Sequence, residues 1–248
     1  MSYFDIATEI NKAPETRVFY IIGARGVGKS YSVKKWVVRR FLNHGERFIY
    51  NKRWTTEIEP AELATVFDDT ILDPDVIEDA KNYAERLGIK DYYTFRIYPR
   101  GGAFYFGIEA ENGKLIRQDV IARLTCVSKA TRVKGNVLNL SYTSVVFDEF
   151  ITDEGYFHGR KEPEQFAKIV NTVGRANNDE LRIFMIGNPD ASIELNPYIT
   201  GNLTLDYEHL QTNTAYYYDR KKNGRILARN VMFIKLAPLG NAEYLNAG

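Results

Sequence analysis

Two spacings of apolar residues alternate along the chain. Arg17-Val18-Phe19-Tyr20-Ile21-Ile22 is a short, nearly continuous apolar run, and its β-branched content predicts a buried strand. From Lys29 to Phe41 the period lengthens. Val33, Trp36, Val37 and Phe41 share one helical face, and Asn43-His44-Gly45 supplies the stop. Phe48-Ile49-Tyr50 predicts a second strand, which makes a right-handed βαβ unit. The polar stretch from Trp54 to Lys90 holds Pro60 and Pro74, with short surface helices expected at Pro60-Ala61-Glu62-Leu63 and from Val76 to Leu87. Tyr92 to Tyr98 and Ala103 to Ile108 alternate apolar with polar around Pro99-Arg100-Gly101-Gly102, a hairpin signal. Further strands are expected at Val120 to Val127, Ser144-Val145-Val146-Phe147 and Leu181 to Ile186, with a helix from Glu162 to Val173. After Pro197 the pattern changes. Tyr216-Tyr217-Tyr218 and Ile226 to Ile234 predict a hairpin turning at Asn223-Gly224, and Asn241 to Gly248 reads as a tail or linker.

Strands alternating with helices predict an α/β fold with a mostly parallel central sheet flanked by helices. The expected organisation is a main domain over 1–200 and a hairpin and linker extension over 201–248. A length of 248 residues and a hydrophobic share of 44% suit that size of core. No apolar run approaches the roughly 20 residues of a membrane-spanning helix. The start, Met1-Ser2-Tyr3-Phe4-Asp5, lacks the basic-then-apolar pattern of a secretory signal. Cys126 is the only cysteine, which excludes an intramolecular disulfide and a cysteine-rich zinc site. His44, His158 and His209 show neither metal-ligand spacing nor a triad pattern.

Charge narrows the partners. Lys and Arg number 33 against 32 Asp and Glu, so any nucleic-acid contact must come from a local patch. The 17 tyrosines first suggest core and interface packing, with base stacking as a second use.

The candidate chemistry begins at Gly23-Ala24-Arg25-Gly26-Val27-Gly28-Lys29-Ser30, a complete G-x-x-x-x-G-K-S phosphate loop between a predicted strand and a predicted helix. Glycines let backbone N–H groups converge on phosphate oxygens, and the helix beginning at Lys29 points its positive end at them. Gly23, Gly26, Val27, Gly28, Lys29, Ser30 and Tyr31 are therefore expected to bind a nucleoside triphosphate, ATP. Lys29 is expected to reach the β and γ phosphates, and Ser30 to bind Mg²⁺. Asp148-Glu149 closes the later apolar strand as a Walker B pair. Asp148 is expected to hold Mg²⁺ with Ser30, and Glu149 to activate the attacking water. A glutamate directly after the metal-binding aspartate points to the additional-strand catalytic-glutamate class of phosphate-loop NTPases.

Other polar residues keep two readings each. Asn188 suits the turn Gly187-Asn188-Pro189, and it also sits where an amide senses a γ-phosphate. Arg175 either complements the C-terminal end of its helix or projects as a finger into a neighbouring subunit. Lys134 lies in the basic run Ser128 to Gly135, which is either a solvated loop or a phosphate contact. Arg25, inside the phosphate loop, is placed to toggle between nucleotide and carboxylates. Lys52-Arg53 and Arg220-Lys221-Lys222 read first as solvated surface, with nucleic-acid contact as the second reading.

Together these residues resemble the DNA-packaging ATPases of small tailed podophages, the encapsidation proteins related to large terminase subunits. The likeness rests on Gly23 to Ser30 with its internal arginine, on Val145-Val146-Phe147-Asp148-Glu149-Phe150, and on the basic Gly-containing loop upstream, across residues 15 to 190. It implies an ATP-hydrolysing, Mg²⁺-dependent motor that forms a homo-oligomeric ring, usually a pentamer. Such a ring works at the portal vertex of a procapsid in the host cytoplasm and threads double-stranded DNA inward. Lys29, Asp148 and Glu149 match the family's catalytic positions, while Arg175 and Lys134 fall near its trans-acting basic residues. The family's nuclease-like C-terminal domain is expected to be absent from this chain. The other reading is a different nucleic-acid-dependent ring ATPase, such as a replication helicase or a loader.

Overall fold

The computed structural model describes residues 3–54, 56–128, 142–151, 161–174, 181–189, 193, 196–200, 206–222 and 225–237. Nine strands form one sheet: β1 (Val18–Gly23), β2 (Arg47–Lys52), β3 (Thr94–Arg100), β4 (Ala103–Glu109), β5 (Leu115–Cys126), β6 (Tyr142–Asp148), β7 (Arg182–Gly187), β8 (Thr214–Lys222) and β9 (Arg225–Leu236). Their spatial order is β3-β4-β5-β2-β6-β7-β1-β9-β8. The helices are α1 (Ile6–Lys12), α2 (Lys29–His44), α3 (Pro60–Leu63), α4 (Pro74–Arg86), α5 (Glu162–Gly174) and α6 (Pro197–Thr200).

The expectation of a mostly parallel sheet is corrected here: the sheet is mixed. Pairing from β5 through β2, β6, β7 and β1 to β9 is parallel, but both flanks are antiparallel. On one side β3, β4 and β5 form a meander, and on the other β8 folds back on β9. The reason is connection length. Strands joined by a two-residue turn such as Gly101-Gly102 can only be antiparallel, whereas β1 and β2 are joined through α2. Pro99 sits inside β3 because β3 is an edge strand, where a missing N–H costs no ladder bond.

Helix α1 was not legible in the periodicity. Asp5 starts it by accepting from the N–H groups of Ala7 and Thr8, and Ile6 and Ile10 are buried. Segment 201–248, expected as an extension, contributes β8 and β9 to the same sheet, with β9 running parallel to β1 from Val231 to Leu236. The turn expected at Asn223-Gly224 lies outside the described residues.

Each face of the sheet carries a core. Phe19, Ile21, Tyr50, Phe104, Phe184 and Met232 pack with residues of α1, α2 and α4, including Ile6, Val33, Val37, Phe41 and Ala80. Tyr20, Ile22, Val145, Phe147, Met185 and Phe233 pack on the other face against Phe166, Ile169 and Val173 of α5. Neighbouring residues of one strand thus enter opposite cores, as the two-residue period requires. This three-layer arrangement brings the C-terminal ends of β1, β2, β6 and β7 together along one edge, where open α/β sheets bind ligands.

Candidate active site

The loop from Gly23 to Ser30 joins β1 to α2. Gly26 and Gly28 hold φ of 80° and 89°, values that a side chain would strain, so the turn is open only to glycine at low cost. Gly28 also caps α2, and no side chain satisfies the first N–H groups of that helix. An N-terminal helix end free of acidic residues is therefore presented to whatever enters. Residues of the loop line a cavity of about 880 Å³ together with Asp148, Glu149 and Asn188.

Lys29 is buried. Its Nζ donates to the carbonyls of Gly23 at 2.6 Å and Ala24 at 2.7 Å, and to Asn188 Oδ1 at 3.1 Å. Burial lowers its pKa to about 8, with Asp148 opposing that shift and Arg25 adding to it. The structure thus unites the predicted Lys29 and Asn188, from β1's loop and from the end of β7. Val27 is buried, and exposed Arg25 lines the same cavity.

Asp148 ends β6 and is the hub of the acidic side. Ser30 Oγ donates to its Oδ1 at 2.8 Å, and Tyr50 from β2 donates to its Oδ2 at 2.7 Å. Lys34 Nζ lies 3.6 Å from Oδ2. Burial alone raises the Asp148 pKa, but Lys34, Lys52 and the two hydroxyls hold it below the ordinary carboxylate value. The facing Ser30 and Asp148 oxygens suit a hard cation such as Mg²⁺, which takes one or two protein oxygens and completes its shell with phosphate and water. Among the described residues no group of three or more His, Cys, Asp or Glu stands ready to hold a metal without such help.

Glu149 follows in a left-handed backbone conformation, φ 61°, one of two non-glycine residues with positive φ among those described. Such a conformation costs roughly 1–3 kcal/mol and persists only where neighbours hold it. Here Phe150 N–H bonds the Ile186 carbonyl at 3.1 Å, and Arg53 donates to the Phe150 carbonyl. The twist turns the Glu149 side chain outward, 59% exposed, where Lys52 Nζ reaches its Oε2 at 3.1 Å.

Lys52 and Arg53 correct the expectation of a solvated pair. The Lys52 side chain is 11% exposed and faces Glu149, while Arg53 is 2% exposed and paired with Glu162 of α5, itself 0% exposed, at 2.9 Å. Sequence reading also missed Tyr50 and Lys34. The alternation Phe48, Tyr50, Lys52 placed both Tyr50 and Lys52 on one face of β2, but only the pairing of β2 with β6 revealed that this face meets the acids. Arg175 and Lys134 lie outside the described residues. Tyr31 lines the cavity, and its hydroxyl donates to Asp73 Oδ2 at 2.7 Å.

This combination of loop, acidic strand end and mixed sheet defines an α/β protein with a cavity at the C-terminal edge of its parallel strands. The chain is similar in sequence to phage DNA-packaging proteins. The family model for the podovirus DNA encapsidation protein (Gp16) matches residues 8–85. The DNA packaging proteins of Bacillus phages PZA and phi29 are each 26% identical over 179 residues, covering 72% of this chain and 44% of theirs. The chain therefore spans less than half the length of these relatives. A crystal structure of the N-terminal domain of the DNA packaging ATPase from bacteriophage phi29 shares the fold, with a TM-score of 0.61 at 22% identity, covering 94% of this chain and 95% of that one. The Phi-28 gp11 DNA packaging motor gives a TM-score of 0.61 at 19% identity, covering 94% of this chain and 59% of that one.

Proposed function

We propose that this chain is the ATP-hydrolysing motor domain of a viral DNA-packaging machine, a phosphate-loop NTPase of the additional-strand catalytic-glutamate class. The observation that carries the reading is the meeting of loop and acids: Ser30 Oγ lies 2.8 Å from Asp148, with Lys29 and Glu149 lining the same cavity. Gly23, Gly26, Val27 and Gly28 shape the phosphate cradle, and Tyr31 lines the same nucleotide cavity. Lys29 leaves its carbonyl partners for the β and γ phosphates. Ser30 and Asp148 hold Mg²⁺, which when bound neutralises charge building on the phosphates. Glu149 accepts a proton from the attacking water, and Asn188 and Arg25 steady the γ-phosphate end.

The DNA-packaging part of the reading rests on the relatives. Double-stranded DNA is the proposed track, and a homo-oligomeric ring, pentameric in the family resemblance, is the proposed working form at the procapsid portal in the host cytoplasm. Arg175 and Lys134 are the proposed trans-acting cations. No helix among the described residues is long and apolar enough to cross a membrane.

The test is an ATPase assay with and without duplex DNA on the chain, Lys29→Ala and Glu149→Gln. The expected result is ATP binding without turnover for Glu149→Gln, weakened binding for Lys29→Ala, and duplex binding that falls steeply with salt. Undiminished hydrolysis by Glu149→Gln refutes the catalytic assignment. Strong single-strand preference with unwinding assigns the chain to a helicase instead.

A further inference from the structure

The cavity has a further wall that no motif announces. The segment ahead of α1 is laid across the glycine loop. Phe4 N–H donates to the Val27 carbonyl at 3.4 Å, and Ile6 N–H donates to Ser32 Oγ on α2 at 2.8 Å. Ile6 is fully buried and Asp5 caps α1, so the segment is anchored just behind its first described residue. Tyr3 consequently lies against Gly28: a Cβ on that glycine would sit 3.3 Å from Tyr3 Cβ and Cδ1. Yet Tyr3 is 67% exposed and lines the cavity. An aromatic side chain that lines a cavity and stays mostly in water contributes little to the core.

The helix geometry separates two sides of the site. Successive residues of α2 point about 100° apart. Ser30 accordingly turns to Asp148, while the next residue, Tyr31, turns to Asp73 at the start of α4. Tyr31 and Thr70 line the cavity on that side. The acids and the Asn188 amide therefore mark the phosphate end, Tyr31 and Thr70 line a side turned from Asp148, and Tyr3 lines the cavity at Gly28.

We infer that Tyr3 stacks on the nucleobase of the bound triphosphate, so that the segment preceding α1 forms a wall of the nucleotide site. The inference rests on the nucleotide-binding reading above and deepens it. The chemistry of Tyr3, Tyr31 and Thr70 also sets the specificity. Their side chains are two phenols and a threonine hydroxyl, with no carboxylate or amide to read the edge of a base. Stacking accepts any base with a sufficient π-face, so adenine and guanine are both accommodated and the larger purines bind better than pyrimidines.

The test is calorimetric titration of the chain, Tyr3→Phe and Tyr3→Ala, all in a Glu149→Gln background to prevent turnover. The ligands are ATP, GTP and inorganic tripolyphosphate, each with Mg²⁺. Tyr3→Ala is expected to weaken ATP and GTP by about tenfold, to leave tripolyphosphate within about twofold, and Tyr3→Phe to bind like the parent. Unchanged ATP affinity in Tyr3→Ala overturns the inference. So does an equal loss for tripolyphosphate, which makes Tyr3 a support for the loop, or a Tyr3→Phe that fails to restore binding. Failure of the nucleotide reading looks different: the parent then binds none of the three ligands, or Lys29→Ala binds tripolyphosphate as well as the parent does.

Discussion

Replacing Arg53 by methionine removes one side of an ion pair that water does not reach. The two side chains are 2% and 0% exposed, and Arg53 Nε sits 2.9 Å from Glu162 Oε1. Glu162 also accepts from the Tyr198 hydroxyl at 2.7 Å, and the Tyr198 carbonyl accepts from Tyr20 of β1 at 2.7 Å. Removing the guanidinium strands a buried carboxylate, which costs about 3–5 kcal/mol. For a chain of this size each kcal/mol moves Tm by roughly 2–4 °C, so a fall of about 6–20 °C is expected. The double variant Arg53→Met/Glu162→Leu removes both charges and should recover at least about 2 kcal/mol of the summed single losses, short of full recovery because the Tyr198 hydroxyl loses an acceptor. Urea and thermal unfolding of the four-member cycle measure this. A single-variant loss under about 1 kcal/mol, or strict additivity in the cycle, refutes the reasoning. Because Arg53 also holds the Phe150 carbonyl, next to Glu149, turnover should drop more than nucleotide affinity.

Lys29 makes nucleotide binding pH-dependent. Burial sets its pKa to about 8 against an ordinary 10.5, and phosphate favours the charged form, so binding above pH 8 takes up a proton and weakens towards pH 10.5. Calorimetry at pH 9 in buffers of different ionisation enthalpy reads that proton, and identical apparent enthalpies refute it. In the free protein the depressed pKa means that folding stability rises with pH across the same window. Glu149→Gly should abolish turnover while raising unfolding free energy by about 1 kcal/mol, because glycine tolerates the left-handed backbone and the exposed ion pair with Lys52 contributes little. Tyr50→Phe removes a buried hydrogen bond to Asp148 and should cost about 1.5–3 kcal/mol. The depressed Asp148 pKa gives stability that is present above 3.8 and lost as pH falls through the lower folded value, so Tyr50→Phe should begin acid unfolding at higher pH than the parent.

Much of this candidate site was legible in the order of residues. The spacing of Gly23, Gly28, Lys29 and Ser30 fixes a local backbone problem, a tight turn feeding a helix end, and a local problem is solved by consecutive residues. The apolar run ending at Asp148-Glu149 is likewise a strand that delivers its last side chains to the sheet edge. The period of Val33, Val37 and Phe41 marked the buried face of α2 because helix burial repeats every turn. What the chain order cannot convey is which strand lies beside which. Only the order β5-β2-β6-β7-β1 brings Tyr50 and Lys52 to the acids and Asn188 to Lys29, residues separated by as many as 159 positions. Only that packing turns Arg53 from a surface charge into a buried partner of Glu162. The hairpin signals gave the antiparallel pairs, but not that β4-β5 and β9 join them to the parallel strands in one sheet. Chemistry held within single turns of chain follows from residue order alone. The tertiary structure decided which charges lose water and meet, because desolvation depends on neighbours that sequence separation does not reveal.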